Sequence, residues 1–121
     1  MSRKVLAVDD SSSIRKMVEF SLKSKGFQVN TAVDGQEALE LLAKDKPDVI
    51  ILDINMPRLD GFGFLKKVKA DAGYAAIPIL MLTTEGQEAD METALALGAK
   101  HYIVKPFKPS ELIAAVEMLV Q

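Results

Sequence analysis

The chain has 121 residues, 49% of them hydrophobic and 26% charged, which suits one globular domain with a single core. Fifteen basic residues against seventeen acidic ones leave a formal charge of -2, without the basic excess that holds a protein on nucleic acid or on an anionic membrane. With no cysteine and a single histidine, disulfides, thiolate nucleophiles and Cys or His metal clusters are excluded, so any chemistry must run on oxygen ligands and lysine.

The first apolar run, Val5 to Val8, stops at Asp9-Asp10 and is too short for a signal-peptide core. A cytoplasmic protein is expected, and the absence of cysteine agrees with a reducing compartment. Val5–Val8, Val49–Leu52 and Ile77–Leu82 are rich in branched residues and read as strands buried on both faces. Phe27–Val33 alternates and His101–Val104 is short and mixed, so these two are placed at the sheet edges. Between the strands lie five segments of helical spacing: Ile14, Met17, Val18 and Leu22; Ala38, Leu41 and Leu42; Phe62, Leu65 and Val68; Met91, Ala94 and Leu95; and Leu112, Ala115, Val116 and Leu119. Ser11 or Ser12 can cap the first helix, Gly26 and Gly98 follow helix ends, and Pro109 suits a first turn, although Lys108 before it makes a weak cap. No apolar stripe is left over once five helices cover the sheet, which predicts a monomer.

Strict alternation of strand and helix predicts a (βα)5 α/β fold, a doubly wound five-stranded parallel sheet in the flavodoxin-like order 2-1-3-4-5. Residues 1–121 form one domain with no output domain attached in this reading. The first and third strands are then neighbours at the switch point, and ligands belong at their carboxyl ends.

At those exits stand Asp9-Asp10, Asp53, Thr83-Thr84 and Lys105. Three carboxylates in a small volume need a proton or a cation beside them, and an all-oxygen donor set favours Mg²⁺. Lys105 adds a positive charge opposite, so an anion with oxygens in several directions, such as a phosphoryl group, fits between them. Asp53 is the candidate acceptor, and Thr83 a hydroxyl for the transferred group. Asp9-Asp10 could serve only as helix caps, but Ser11, Ser12 and Ser13 already supply those. Gly61-Phe62-Gly63 fails as a dinucleotide loop because Lys66 replaces the third glycine. Asp53-Ile54-Asn55 fails as a calcium loop because Pro57 and Arg58 occupy its next positions. A flavodoxin-type carrier would need a phosphate-friendly loop where Asp9-Asp10 stands. Lys66, Lys67 and Lys69 read as a solvated helix face and His101 as solvent-facing, with Tyr102 half-buried beside it.

Asp9-Asp10, the run Asp53-Ile54-Asn55-Met56-Pro57 through Asp60-Gly61, Thr83, and Tyr102 through Lys105-Pro106-Phe107 together resemble the response-regulator receiver family, nearest its stand-alone CheY type. The resemblance spans nearly the whole chain. It implies a Mg²⁺ site made by Asp9, Asp10, Asp53 and the backbone carbonyl of Asn55, and phosphorylation of Asp53 by a histidine kinase. It also implies Lys105 as the phosphoryl partner, Thr83 as the switch hydroxyl, Tyr102 as the aromatic that turns inward, and a cis Lys105-Pro106 bond. Such a protein is a signalling switch, not an enzyme beyond its own phosphorylation and dephosphorylation. Its fourth helix, fifth strand and fifth helix dock an output partner, for CheY-like members the flagellar motor switch and the chemotaxis kinase. A phosphorelay intermediate serving a histidine phosphotransfer protein, and a receiver-shaped scaffold that is never phosphorylated, are the alternatives. Asn55 and Glu85 sit where the family tunes water access.

Overall fold

The computed structural model describes residues 3–54, 60–84 and 88–120. Strands and helices alternate throughout: β1 (Lys4–Val8), α1 (Ser12–Lys23), β2 (Gln28–Ala32), α2 (Gly35–Lys44), β3 (Val49–Asp53), α3 (Gly61–Ala70), β4 (Ile79–Thr84), α4 (Glu88–Ala96), β5 (His101–Lys105) and α5 (Pro109–Leu119). All strand pairs are parallel and the order is β2-β1-β3-β4-β5, so the doubly wound topology read from the sequence is the one observed.

Period-two alternation in the strands divides the core into two layers. Leu6, Val8, Ile50, Leu52, Ile79 and Met81 face Ala38 and Leu42 of α2, Phe64, Leu65 and Val68 of α3 and Ala94 of α4. Val5, Ala7, Val49, Ile51, Leu80 and Leu82 face Val18 and Leu22 of α1 and Leu112, Ala115 and Val116 of α5. Nearly all are sealed from water, and each full-size side chain contributes roughly 1.5–3 kcal/mol by burial. Both edge strands, β2 and β5, are the ones expected there.

The element ends differ from expectation for reasons visible in the hydrogen bonds. β2 loses Phe27, whose amide turns back to the Leu22 carbonyl, and Val33, whose amide donates to the Glu37 carboxylate. β4 starts at Ile79, not Ile77, because the Ile77 amide closes a turn on Tyr74 and Pro78 has no N–H for the ladder. It then runs on through Thr83 and Thr84, and β5 through Lys105. On α3 the buried stripe includes Phe64, with Phe62 half-buried, and on α4 Leu95 is exposed, so both stripes are rotated from the sequence reading.

Caps follow local chemistry. Ser11 caps α1, Asp34 caps α2 and Asp60 caps α3, each side chain accepting an amide from the first turn. Lys108 gives α5 no side-chain cap, as expected, and the Glu111 carboxylate instead accepts the Lys108 amide. Gly26 and Gly98 end α1 and α4 at φ +91° and +110°, a region that glycine enters without a Cβ penalty.

Candidate functional site

Because the strands are parallel, every strand exit opens on one edge, and β1 and β3 exit side by side where the winding reverses. Asp9 follows the last β1 residue, Asp53 is the last residue of β3, and Lys105 is the last residue of β5. Carboxylate oxygens of Asp9, Asp10 and Asp53 all lie within 4.8 Å of one another. Asp9 is 2% exposed and Asp53 6%, whereas Asp10 is on the surface. The Lys105 stem crosses the end of β4, and its ammonium donates to Asp9 Oδ2 at 3.1 Å and to Asp53 Oδ1 at 3.2 Å. The lysine expected on the far side of the pocket therefore bridges two of the acids directly.

One ammonium does not neutralise three carboxylates. Burial, with the charge of Asp9 added, pushes the Asp53 carboxyl above its ordinary value despite Lys105. Burial alone would lower the Lys105 ammonium, but the hydrogen bonds and charges of Asp9 and Asp53 outweigh it and raise it. Lys105 is thus held charged. A second, hard cation fits the remaining negative charge, and the donors offered are all oxygen.

The backbone around the acids is tied down. Asp9 Oδ1 accepts the Ser11 amide at 2.9 Å, and the Asp9 carbonyl accepts Arg15 Nη1 at 2.7 Å. Beside Asp53, the Gly61 amide donates to the Ile54 carbonyl at 2.8 Å. A Cβ at Gly61 would strike the Asp53 carbonyl oxygen and come within 2.7 Å of Ile54 Cα, so α3 can begin here only with glycine. Sequence reasoning passed over Arg15 and took Gly61 as part of a failed loop motif and as the end of the run that carries the family resemblance, without a structural role. For the role of each, the available hint was position, on the helices that follow the two acidic strand exits.

Thr83 is buried at 1% exposure one residue beyond the Asp53–Leu82 pair, with its hydroxyl 3.5 Å from the Ile103 carbonyl. Tyr102 is half-buried and packs against the α3 and α4 side of the core. His101 is half-buried, not solvent-facing, because its ring leans on Tyr102 with centroids 6.0 Å apart. Lys69 corrects the solvated-face reading of α3. Its ammonium donates to the carbonyls of Ala75 and Ile77, while Lys66 and Lys67 remain exposed. Asn55 and Glu85 lie outside the described residues. The Lys105-Pro106 peptide is cis, as the resemblance implies. Among the described residues no helix is long and apolar enough to cross a membrane.

Residues 5–117 match the response regulator receiver domain family. The chain belongs to that family. It is 49% identical over 118 residues to a probable transcriptional regulator, ycf27, of Guillardia theta, covering 98% of this chain and 45% of that protein. The alkaline phosphatase synthesis transcriptional regulatory protein PhoP of Bacillus subtilis is 40% identical over 121 residues, covering 100% and 50%. The chain therefore spans about half the length of these curated relatives. Among solved structures, the chemotaxis response regulator CheY4 of Vibrio cholerae superposes with a TM-score of 0.92 at 46% identity, covering 98% of this chain and 99% of that one. This chain is thus a receiver domain of the two-component response-regulator kind.

Proposed function

We propose that the domain is a phosphoacceptor switch in which Asp53 takes a phosphoryl group from the phosphohistidine of a histidine kinase. The observation that carries this reading is the Lys105 ammonium lodged between Asp9 and Asp53, with Asp10 completing an acidic cluster at the sheet's switch point. Asp9, Asp10 and Asp53, with the carbonyl of Asn55, would hold Mg²⁺, which when bound supplies neutralisation of the phosphoryl oxygens. In the transfer, an Asp53 carboxylate oxygen bonds to phosphorus as the bond from phosphorus to the histidine nitrogen breaks. Lys105 keeps its proton and stabilises charge on the equatorial oxygens. Hydrolysis reverses the gain: water adds to phosphorus, the bond to Asp53 breaks, and inorganic phosphate leaves.

The switch then works through strands that are already rigid. Thr83 stands one position past the residue paired with Asp53, and a phosphoryl group there competes with the Ile103 carbonyl for its hydroxyl. That exchange links Asp53 to β5, where Tyr102 borders a groove shared with His101, Glu111 and Met118. Leu95 on α4 and Met118 on α5, the helices on either face of edge strand β5, leave large apolar side chains in water, which supports α4, β5 and α5 as the face that meets an output partner. Phosphorylation can favour that arrangement only by binding it better than the resting one.

Two outputs have specific support. The 46% identity to CheY4, a chemotaxis response regulator, supports a chemotaxis partner such as the flagellar motor switch. The curated relatives favour control of transcription. Incubation with Mg²⁺ and a small phosphodonor should add one phosphoryl group to the intact mass of the wild type and none to Asp53→Asn. No gain in either protein sinks the switch and leaves a binding scaffold. In the source cell, Asp53→Asn that alters swimming with an unchanged transcript profile assigns the motor, and the converse assigns transcription.

A further inference from the structure

The acid pair Asp9-Asp10 shares one rigid unit. The carbonyl of Asp9 and the amide of Asp10 belong to the same planar peptide, so a turn of that plane about the Asp9 Cα–C bond swings Asp10, with its carboxylate, relative to Asp9. The register of β1 with its two neighbours ends at Val8, which leaves this peptide just past the ladder. Asp9 is nearly sealed from water, and its carbonyl needs a donor. Arg15 supplies one. From the first turn of α1 its guanidinium reaches back to the Asp9 carbonyl at 2.7 Å, a short charge-assisted bond. The rest of Asp9 is held from other directions, its amide on the Ala32 carbonyl at 3.1 Å, Oδ1 on the Ser11 amide and Oδ2 on Lys105. Without Arg15 the plane between the two acids loses its anchor on the α1 side.

We propose that Arg15 is a positioning residue for divalent cation binding: by clamping the Asp9–Asp10 peptide through its carbonyl, it fixes how the Asp10 carboxylate is placed against that of Asp9. The proposal rests on the reading that these acids hold a divalent cation. It also runs against the simplest electrostatic expectation. A guanidinium beside an acidic site repels an incoming cation, so as a bare charge Arg15 weakens Mg²⁺ binding, and its removal should tighten it. As a clamp it strengthens binding, and its removal should loosen it by about tenfold, the usual cost of losing an outer partner of a metal site. The two roles predict opposite signs.

The test is titration of Mg²⁺ into the whole chain by calorimetry, without phosphodonor, for wild type, Arg15→Met and Arg15→Lys. Arg15→Met should bind Mg²⁺ about tenfold more weakly, and Arg15→Lys, which keeps the charge but has one donor group and a shorter reach, about threefold more weakly. With a small phosphodonor, the Mg²⁺ concentration for half-maximal phosphorylation should rise in the same ratios, while the rate at saturating Mg²⁺ stays within about twofold of wild type. Unchanged or tighter Mg²⁺ binding by Arg15→Met overturns the proposal, and so does a lowered saturating rate with unchanged Mg²⁺ affinity. Should Arg15→Met not fold, Arg15→Lys decides alone, because affinity equal to or above wild type is incompatible with a clamp. Wild type that binds no Mg²⁺ overturns the cation-site reading itself, a result distinguishable from failure of the clamp.

Discussion

Replacing Asp53 by asparagine should stabilise the metal-free protein, although it removes half of an ion pair. At 3.2 Å and an effective dielectric constant of about 20, the Lys105 attraction contributes about 5 kcal/mol to an ionised Asp53. Repulsion from Asp9, with oxygens within 4.8 Å, offsets about 3 kcal/mol of this, and the more solvated Asp10 adds a smaller share. Withdrawing the carboxylate from water outweighs what is left, which is why its proton is held more tightly than in an ordinary aspartate. Asparagine keeps the shape and an acceptor for Lys105 while shedding the desolvated charge. A gain of about 1–2 kcal/mol follows, or about 4–8 °C in Tm for a chain of this size. The pH dependence has a definite sign. The folded state holds the Asp53 proton more tightly than the unfolded state, so this group's contribution to stability falls as pH rises from the ordinary value of 3.8 through the raised folded value. The advantage of the variant should be full at neutral pH and vanish below 3.8, where both forms are uncharged. Thermal unfolding followed by circular dichroism in EDTA, at neutral and acid pH, measures both quantities, and excess Mg²⁺ should narrow the gap by stabilising the wild type. A Tm for Asp53→Asn at or below wild type in EDTA at neutral pH would refute the charge reasoning.

Lys105→Met should destabilise the fold by about 3 kcal/mol in urea, because it leaves Asp9 and Asp53 buried without a counter-charge, and adding Asp53→Asn to it should recover most of that loss. Gly61→Ala should cost about 1–3 kcal/mol, since its methyl group meets backbone at Asp53 and Ile54, and it should slow phosphorylation even at saturating Mg²⁺ by moving the end of β3. Lys69→Met should cost about 1–2 kcal/mol through the freed carbonyls of Ala75 and Ile77 while phosphorylation remains at the wild-type rate, a pairing that urea titration and intact mass check together.

What could be read from the sequence is what a short window contains. Val5–Val8 and Val49–Leu52 are apolar without interruption and stop at acids, which reveals both the buried strands and the residues at their exits. Parallel winding then forces Asp9, Asp53 and Lys105 onto one edge, so their meeting follows from topology. Arg15 and Lys69 were hidden, and Gly61 showed only as a motif residue, because their partners lie a few residues away across a turn of the chain whose shape the residue types do not reveal. Lys69 looks like its exposed neighbours Lys66 and Lys67 until the turn before β4 brings two carbonyls beneath its ammonium. Phe64 lay outside the stripe drawn through Phe62, because three apolar residues at helical spacing leave the rotation of a short helix undetermined.

Arg15 and Gly61 share a physical task, which is to hold a costly site still. The acids stand at the last rungs of the ladder, so strand pairing holds the chain before them but not the peptides that follow Asp9 and Asp53, and the charge they concentrate favours any movement that spreads them apart. The restraints differ on the two strands. Around Asp9 they are hydrogen bonds from Arg15, Ser11 and Lys105. Beside Asp53 there is a steric fit, α3 resting directly on the end of β3 through a residue without a side chain. The first kind can exchange partners at small cost, the second cannot move without lifting a helix. Asp53 is accordingly the better-fixed acid, the property required of an acceptor that must stay in line with an incoming phosphoryl group, whereas the Asp9–Asp10 peptide is the part of the site that can re-aim.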